Sequence, residues 1–147
     1  MDTESLLRSL NAHRVRFVVI GASAFPAHGY ARTTLDFDVL IEPTEANAKR
    51  TLKALAGIGY HVTDLSVEEM LTKKILFRQY VLDVDIHPEA KGVTFAQVWK
   101  SKIRKRFGKT VANFASLDNL IKMKRAANRP KDREDLKVLT ALKKRKR

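Results

Sequence analysis

The chain has 147 residues, of which 44% are apolar, with a formal net charge of +13 and no cysteine. This length and apolar content suit one domain with its own core. No apolar run approaches the roughly 18 residues of a membrane span, and the first residues lack the basic-then-apolar order of a signal peptide, so we expect a cytoplasmic protein. Without cysteine, any metal must be bound by oxygen or imidazole.

The positive charge is concentrated in the last third of the chain. Residues 1–99 hold 11 Lys and Arg against 12 Asp and Glu, whereas residues 100–147 hold 18 against 4. Such a concentration indicates either a polyanion partner or a solvated basic tail. The final KKRKR follows the last apolar residue, Leu142, and we expect it to be disordered.

The first half of the chain alternates helix and strand patterns. Leucines at helical spacing predict a helix in TESLLRSLNAHR, and RFVVI predicts a short buried strand. Residues 22–28 predict a short helix that ends at Gly29. TTLDFDVLI predicts a second strand, and Thr44 is a suitable N-cap for the helix EANAKRTLKALA.

The second half completes a small domain. It predicts an edge strand in YHVTDL, a helical turn in SVEEML, two strands in KILFRQ and YVLDVDI, a helix in FAQVWKSKIRKRF with a Thr94–Gln97 capping box, and a strand in TVANF. Two C-terminal helices follow, one capped by Ser116 and one entered at Pro130. We therefore predict a single α+β domain over residues 1–147, with a small mixed sheet flanked by helices and a basic C-terminal segment from about residue 116.

Two aspartates interrupt the apolar pattern of the second strand. Asp36 and Asp38 are two residues apart, so they share one face, while Leu35, Phe37 and Val39 face the core. Like charges this close repel each other unless a cation such as Mg²⁺ or Mn²⁺ neutralises them. The alternative is that both carboxylates simply face water, and a lone Asp-x-Asp pattern is weak evidence against it.

Two further features favour a metal site. Gly21 ends the preceding strand and is followed by small residues at a helix start, where backbone N–H groups can approach a phosphate. A second Asp-x-Asp, Asp83 and Asp85, lies on a later strand and could add a third carboxylate. Three carboxylates facing a phosphate site are typical of two-metal phosphoryl transfer.

Longer motifs resemble a known family. IGASAFPAHGYARTTLDFDVLI resembles the signature hGGxAhxxxGxxRxTxDhDhhh (h, apolar) of AbiEii-like and related small prokaryotic nucleotidyltransferases, in the superfamily that includes DNA polymerase beta. FASLDNLIKMKRAANRPKDREDLKVL is similar to the family's C-terminal SxxxLIxxKxxAxRxKDxxDLxxL. The resemblance covers residues 17 to about 139 in pieces, and it implies the nucleotidyltransferase fold. Several such proteins are toxins of toxin–antitoxin pairs.

The resemblance implies roles for individual residues in the first motif. Gly21 and Ser23 would lie against the triphosphate, and Asp36 and Asp38 would bind the metals. Ala22 departs from the family, in which many members have a second glycine or serine at this position. This departure would reduce contact with phosphate.

The third carboxylate is assigned by the pattern that follows it. The family shows an aspartate between apolar residues and, about seven residues later, Gly-x-x-Phe; Asp85 with Gly92 and Phe95 fits this pattern. Asp85 is therefore preferred to Asp83, which points to the same face and is the fallback. Asp85 would bind metal and act as a base toward the attacking hydroxyl.

Three basic residues match the family as nucleotide-binding candidates. Lys124 and Arg129 lie in the C-terminal motif and Arg32 in the first. For Arg32 an ion pair with Asp36 is an equal alternative.

Other polar and aromatic residues are interpreted without a role in the site. We expect His87 to be an exposed strand-end residue rather than a ligand. Asp132 and Asp135 are expected to form ion pairs on a helix surface, and Trp99 and Phe95 to anchor the core.

Three functions are compatible with these motifs. The first is a Mg²⁺-dependent nucleotidyltransferase that moves a nucleoside monophosphate from an NTP to a hydroxyl of RNA, such as tRNA, or of a protein, in a toxin–antitoxin pair with an antitoxin partner. The basic last third favours RNA. The second is an inactive nucleotidyltransferase fold that binds nucleic acid or a partner protein. The third is a metal-dependent phosphohydrolase, whose metal sites usually interleave histidines with aspartates.

Overall fold

A computed structural model describes residues 2–32 and 36–145, which form a six-stranded mixed sheet with the strand order β3-β4-β2-β1-β6-β5. The strands are β1 (Phe17–Ile20), β2 (Asp36–Ile41), β3 (Ile75–Phe77), β4 (Asp83–His87), β5 (Ile103–Phe107) and β6 (Thr110–Phe114). β2 runs antiparallel to β1 and parallel to β4, and β1 runs parallel to β6. β3 and β5 are antiparallel edge strands.

Within the described residues, six α-helices and one 3₁₀ helix lie around this sheet. They are α1 (Thr3–Ala12), the 3₁₀ helix (Gly21–His28), α2 (Glu45–Gly57), α3 (Val67–Thr72), α4 (Phe95–Lys100), α5 (Leu117–Ala127) and α6 (Asp132–Arg145). The predicted α+β class, with a small mixed sheet and C-terminal helices, is confirmed. None of these helices is long and apolar enough to cross a membrane.

The helix starts follow the predicted caps. The side chains of Thr44, Thr94 and Ser116 each accept a hydrogen bond from the backbone N–H three residues later. Thr94 and Gln97 form the predicted capping box. These caps fix where each helix begins. α5 starts directly after β6, and its residues Leu120, Met123 and Lys124 line a cleft together with Ile20 at the end of β1 and Gly21 at the start of the 3₁₀ helix.

The core forms where apolar strand faces meet the helices. Leu6, Leu7 and Leu10 of α1 are fully buried, as are the central residues of β1. In β2, Phe37 and Val39 are buried as predicted, whereas Leu35 lies outside the described residues. The aspartates of β2 therefore lie on the face opposite these core residues.

Two predicted elements differ in the structure. YHVTDL, residues 60–65, is a turn and not an edge strand. The predicted helix over residues 95–107 ends at Lys100, and residues 103–107 form β5, which pairs with β6. The sequence was ambiguous because Ile103 and Phe107, four residues apart, share a face in a helix and in a strand, and pairing with β6 decides for the strand.

The basic C-terminal tail is more ordered than predicted. α6 continues to Arg145, so the first three residues of KKRKR are helical, and Lys143 Nζ lies 2.6 Å from Asp118 Oδ1. The expectation of disorder is therefore wrong for residues 143–145. Residues 146 and 147 lie outside the described part of the chain.

Candidate metal and nucleotide site

Four carboxylates meet where β2 lies beside β4. The parallel register places Asp36 opposite Asp83 and Asp38 opposite Asp85. Because side chains of paired residues point to the same face of a sheet, all four carboxylates share one face. Asp85 is buried, with 7% of its surface exposed, and Asp36 is exposed.

A histidine and an arginine contact these carboxylates. His87 Nε2 lies 2.8 Å from Asp38 Oδ1. Arg78 donates from Nη1 to Asp85 Oδ1 at 2.8 Å, and its Nε lies 3.5 Å from Asp83 Oδ2. The hydrogen bond to Asp85 and the nearby carboxylates raise the pKa of the Arg78 guanidinium. Arg78 therefore remains charged and holds the two aspartates of β4 together.

His87 occupies a different environment from the one expected. Its side chain is only 18% exposed, so the prediction of an exposed strand-end residue is wrong. A carboxylate oxygen of Asp38, one of Asp85 and a ring nitrogen of His87 all lie within 4.8 Å of one another. Part of this grouping has a sequence signal: Asp85 and His87 are two residues apart on β4, so their side chains share one face.

Gly21 lies against Asp38. Its φ of +64° is in the left-handed region, and a Cβ atom built on it would lie 3.1 Å from Asp38 Oδ2. The backbone after β1 therefore approaches the carboxylate more closely than a side chain would allow. This close approach keeps the first residues of the 3₁₀ helix, Gly21 and Ala22, at the surface of the site.

The Ser23 side chain forms hydrogen bonds with the backbone of β2, the strand that carries Asp36 and Asp38. Its hydroxyl donates to the Asp36 carbonyl at 2.9 Å and accepts from the Asp38 backbone N–H at 3.3 Å. Ser23 is buried. In this arrangement the hydroxyl fixes the 3₁₀ helix to β2.

Replacing Gly21 tests the close approach to Asp38. We expect Gly21→Ala to lose about 1–2 kcal/mol of unfolding free energy from backbone strain and also to weaken metal binding, because the new methyl group displaces Asp38. Gly29→Ala is the matched control: Gly29 has a φ of +86°, but nothing lies within 4 Å of a Cβ there. Urea unfolding and Mn²⁺ titration of both variants measure the two effects. Equal metal affinity in the two variants would show that the contact with Asp38 is unimportant.

The opposite wall of the site is an ion-pair cluster of Arg32, Lys124, Arg129, Asp132 and Asp135. Arg129 donates from Nε to Asp132 at 2.8 Å, and Lys124 Nζ lies 3.0 Å from Asp132 and 3.2 Å from Asp135. Arg32 donates from Nη1 to Asp135. The cluster thus connects the chain before β2 with α5 and α6.

The aspartates of this cluster are buried rather than on a helix surface. Asp132 is 1% exposed and Asp135 is 3% exposed, so the predicted pairing with basic residues is confirmed but the predicted surface location is wrong. Burial opposes ionisation of Asp132, but hydrogen bonds from Arg129 and Lys124 outweigh burial and hold the pKa of its carboxyl well below its usual range. Asp132 is therefore a charged component of the wall.

A cleft of about 860 Å³ lies between the carboxylates and the ion-pair cluster. Of the predicted site residues, it is lined by Gly21, Arg32, Asp36, Asp38, Asp85, Lys124 and Arg129. Three lysines that the sequence did not single out, Lys74, Lys91 and Lys131, also line it. One wall is therefore acidic and the others are mainly basic.

Comparison with models of known protein families and with curated proteins gives no match. The family resemblance of the two motifs therefore stays a prediction.

Proposed function

We propose that the protein is a metal-dependent nucleotidyltransferase that uses an NTP to modify a hydroxyl group. The observation that supports this most is the placement of Asp36, Asp38 and Asp85 on adjacent strands, facing a cleft whose other wall carries arginine and lysine. A nucleoside triphosphate needs both features, because its phosphates require cations and its metal ions require oxygen ligands. The cleft volume of about 860 Å³ lies within the range of roughly 300–1,000 Å³ that is typical of small-molecule sites.

The residues of the acidic wall fit a divalent cation. Asp36, Asp38 and Asp85 would hold it, and the close spacing of the Asp38 and Asp85 oxygens supports this assignment. When bound, a divalent ion neutralises phosphate charge and favours the ionised form of a coordinated hydroxyl.

The proposed reaction is a single displacement at the α-phosphorus of the NTP, in which Asp85, Arg32 and Arg129 take part. The acceptor oxygen attacks the α-phosphorus and forms a bond to it. The bond between the α-phosphorus and the oxygen that bridges the α- and β-phosphates breaks, and pyrophosphate leaves. Asp85 accepts the proton of the attacking hydroxyl. Arg32 and Arg129 each carry five N–H donors, so pairing with Asp135 and Asp132 leaves donors for phosphate oxygens.

The acceptor that the charge distribution favours is RNA. β5 and its flanks carry Lys100, Lys102, Arg104, Lys105, Arg106 and Lys109, with no acidic residue between positions 100 and 109. Among the described residues, none of these six side chains forms an ion pair with a carboxylate. Charged residues also protect edge strands from aggregation, so binding must be measured directly.

Removing three of these charges distinguishes RNA binding from protection of an edge strand. We expect the combined change of Lys100, Arg106 and Lys109 to serine to flatten the slope of log K against log salt for a labelled oligouridine by about 2, since each phosphate contact contributes about 0.7. Changing Lys49, Arg50 and Lys53 of α2 to serine removes the same charge elsewhere and should leave the slope unchanged. Equal slopes for the two triple variants would contradict a specific role of β5.

The position of His87 favours a second function, a metal-dependent phosphohydrolase. Asp83, Asp85 and His87 alternate on β4, as aspartates and histidines do in such enzymes. The two functions give different products from an NTP. A hydrolase that removes the terminal phosphate releases inorganic phosphate, whereas transfer releases pyrophosphate.

Product analysis therefore tests the proposal. The protein is incubated with each of the four NTPs, Mg²⁺ or Mn²⁺, and total cellular RNA or lysate, and both phosphate and pyrophosphate are quantified. We expect pyrophosphate release that depends on the RNA or lysate. Phosphate release alone would identify a hydrolase, and Mg²⁺-NTP binding without either product would identify an inactive binding module.

A further inference from the structure

We propose that the His87 imidazole is a direct metal ligand, together with Asp38 and Asp85, and that it shifts the preference of the site from Mg²⁺ toward Co²⁺ and Zn²⁺. This inference concerns the metal site of the proposed function and rests on it. The family resemblance implies only carboxylate ligands, whereas the structure places a nitrogen donor among them.

The backbone positions the imidazole for this role. Asp38 and Asp85 are register partners on parallel strands, and His87 follows Asp85 by two residues on the same face. His87 Nε2 lies 2.8 Å from Asp38 Oδ1. In an octahedral site with metal–ligand distances near 2.1 Å, neighbouring ligands are about 3 Å apart and opposite ligands about 4.2 Å apart. The spread of at most 4.8 Å among the three donor atoms is close to this range.

The surroundings of the three side chains also fit a bound ion. All three line the cleft, so an ion held there would face a substrate. Because Gly21 has no Cβ, no side chain of the 3₁₀ helix covers Asp38 Oδ2 at this position. Arg78 binds Asp85 through Oδ1, and a carboxylate has a second oxygen for a metal.

The donor set determines which ion is preferred. Mg²⁺ binds oxygen ligands and retains water, whereas imidazole increases affinity for later divalent ions in the order Mn²⁺, Fe²⁺, Co²⁺, Ni²⁺. A donor set that combines carboxylates with one imidazole therefore favours Co²⁺ or Zn²⁺ over Mg²⁺ more than carboxylates alone would.

Pulsed electron paramagnetic resonance of the Mn²⁺-loaded protein tests direct ligation, because a directly bound imidazole couples its ¹⁴N nucleus to the electron spin. We expect this coupling in the wild-type protein and in His61→Gln, which changes an exposed histidine, and its loss in His87→Gln. His87→Gln should also raise the Kd for Co²⁺ about tenfold or more while changing the Kd for Mg²⁺ much less.

The outcomes separate this inference from the proposed function. Mn²⁺ bound without ¹⁴N coupling in the wild-type protein, or an unchanged Kd for Co²⁺ in His87→Gln, overturns the role of His87 and leaves nucleotidyl transfer intact. The absence of any Mn²⁺ binding that depends on Asp38 overturns the metal site on which both proposals rest. The wild-type spectrum alone tests whether an imidazole binds the metal, so this test does not depend on the folding of His87→Gln.

Discussion

Asp38→Asn and Asp85→Asn are expected to reduce turnover about 100-fold or more, because in the proposed function each change removes a metal ligand and the second also removes the base. Asp38 and Asp85 face each other across β2 and β4 and line the cleft. Neither change should unfold the protein. Asparagine preserves the shape of the side chain. Removing the charge of Asp38 relieves repulsion among the carboxylates, and in Asp85→Asn the half-exposed Arg78 keeps Asp83 as a charged partner.

Asp83→Asn is the matched control for this prediction. Asp83 lies on the same face of β4, and Arg78 Nε lies 3.5 Å from its carboxylate, but the metal-ligand grouping contains Asp85 instead. Its turnover should therefore fall much less. Steady-state kinetics and the rise in Tm caused by Mg²⁺-NTP compare the three variants. A larger loss for Asp83→Asn than for Asp85→Asn would show that the third carboxylate is misassigned by two residues.

Asp132→Asn is expected to lower the free energy of unfolding by about 3 kcal/mol, since it removes the buried partner of Arg129 and leaves Lys124 with Asp135 alone. For a domain of this size the loss corresponds to a decrease in Tm of roughly 10 °C. Glu134→Gln changes an exposed carboxylate on the same helix and should change stability by less than about 0.5 kcal/mol. Thermal and urea unfolding at pH 7 measure the difference, and similar Tm values for the two variants would contradict the structural role of the cluster.

The same variant has a predictable pH dependence. The pKa of the Asp132 carboxyl in the folded protein lies below its ordinary value of 3.8, so its ionised form stabilises the fold fully above about pH 4. This contribution is lost as the pH falls further, because the unfolded chain binds a proton at higher pH than the folded one. The gap in stability between wild type and Asp132→Asn should therefore shrink below pH 4. A gap that stays constant with falling pH would show that Asp132 is not charged in the fold.

Local patterns were sufficient to predict much of the scaffold. β1 and β2 follow from apolar runs and alternation, and the caps at Thr44, Thr94 and Ser116 were visible as single residues. The 3₁₀ helix and its end at Gly29 also follow from small residues and a left-handed position. β5 could not be predicted in this way, because its pattern fits a helix equally well and pairing with β6 is a contact made in three dimensions.

The site was predictable only in part for the same reason. The alternation within β2 and within β4 indicates which aspartates share a face, but neither the register of the two strands nor the counter-groups of the carboxylates follow from it. Arg78 reaches Asp85 across a hairpin, and His87 approaches Asp38 from a neighbouring strand. The burial of Asp132 and Asp135 depends on how α5 and α6 pack beside Arg32, and one helix alone contains no sign of it.

The most direct test of the proposed function is the fate of the α-phosphate of the NTP. The protein is incubated with NTP labelled at the α-phosphate or at the γ-phosphate, a divalent ion, and total RNA or lysate, and macromolecules are separated by size and by nuclease or protease sensitivity. Nucleotidyl transfer predicts that α-label becomes attached to RNA in wild type, that γ-label does not, and that Asp38→Asn transfers neither. Attachment of γ-label, or α-label incorporation that is equal in wild type and Asp38→Asn, would contradict transfer by this carboxylate site.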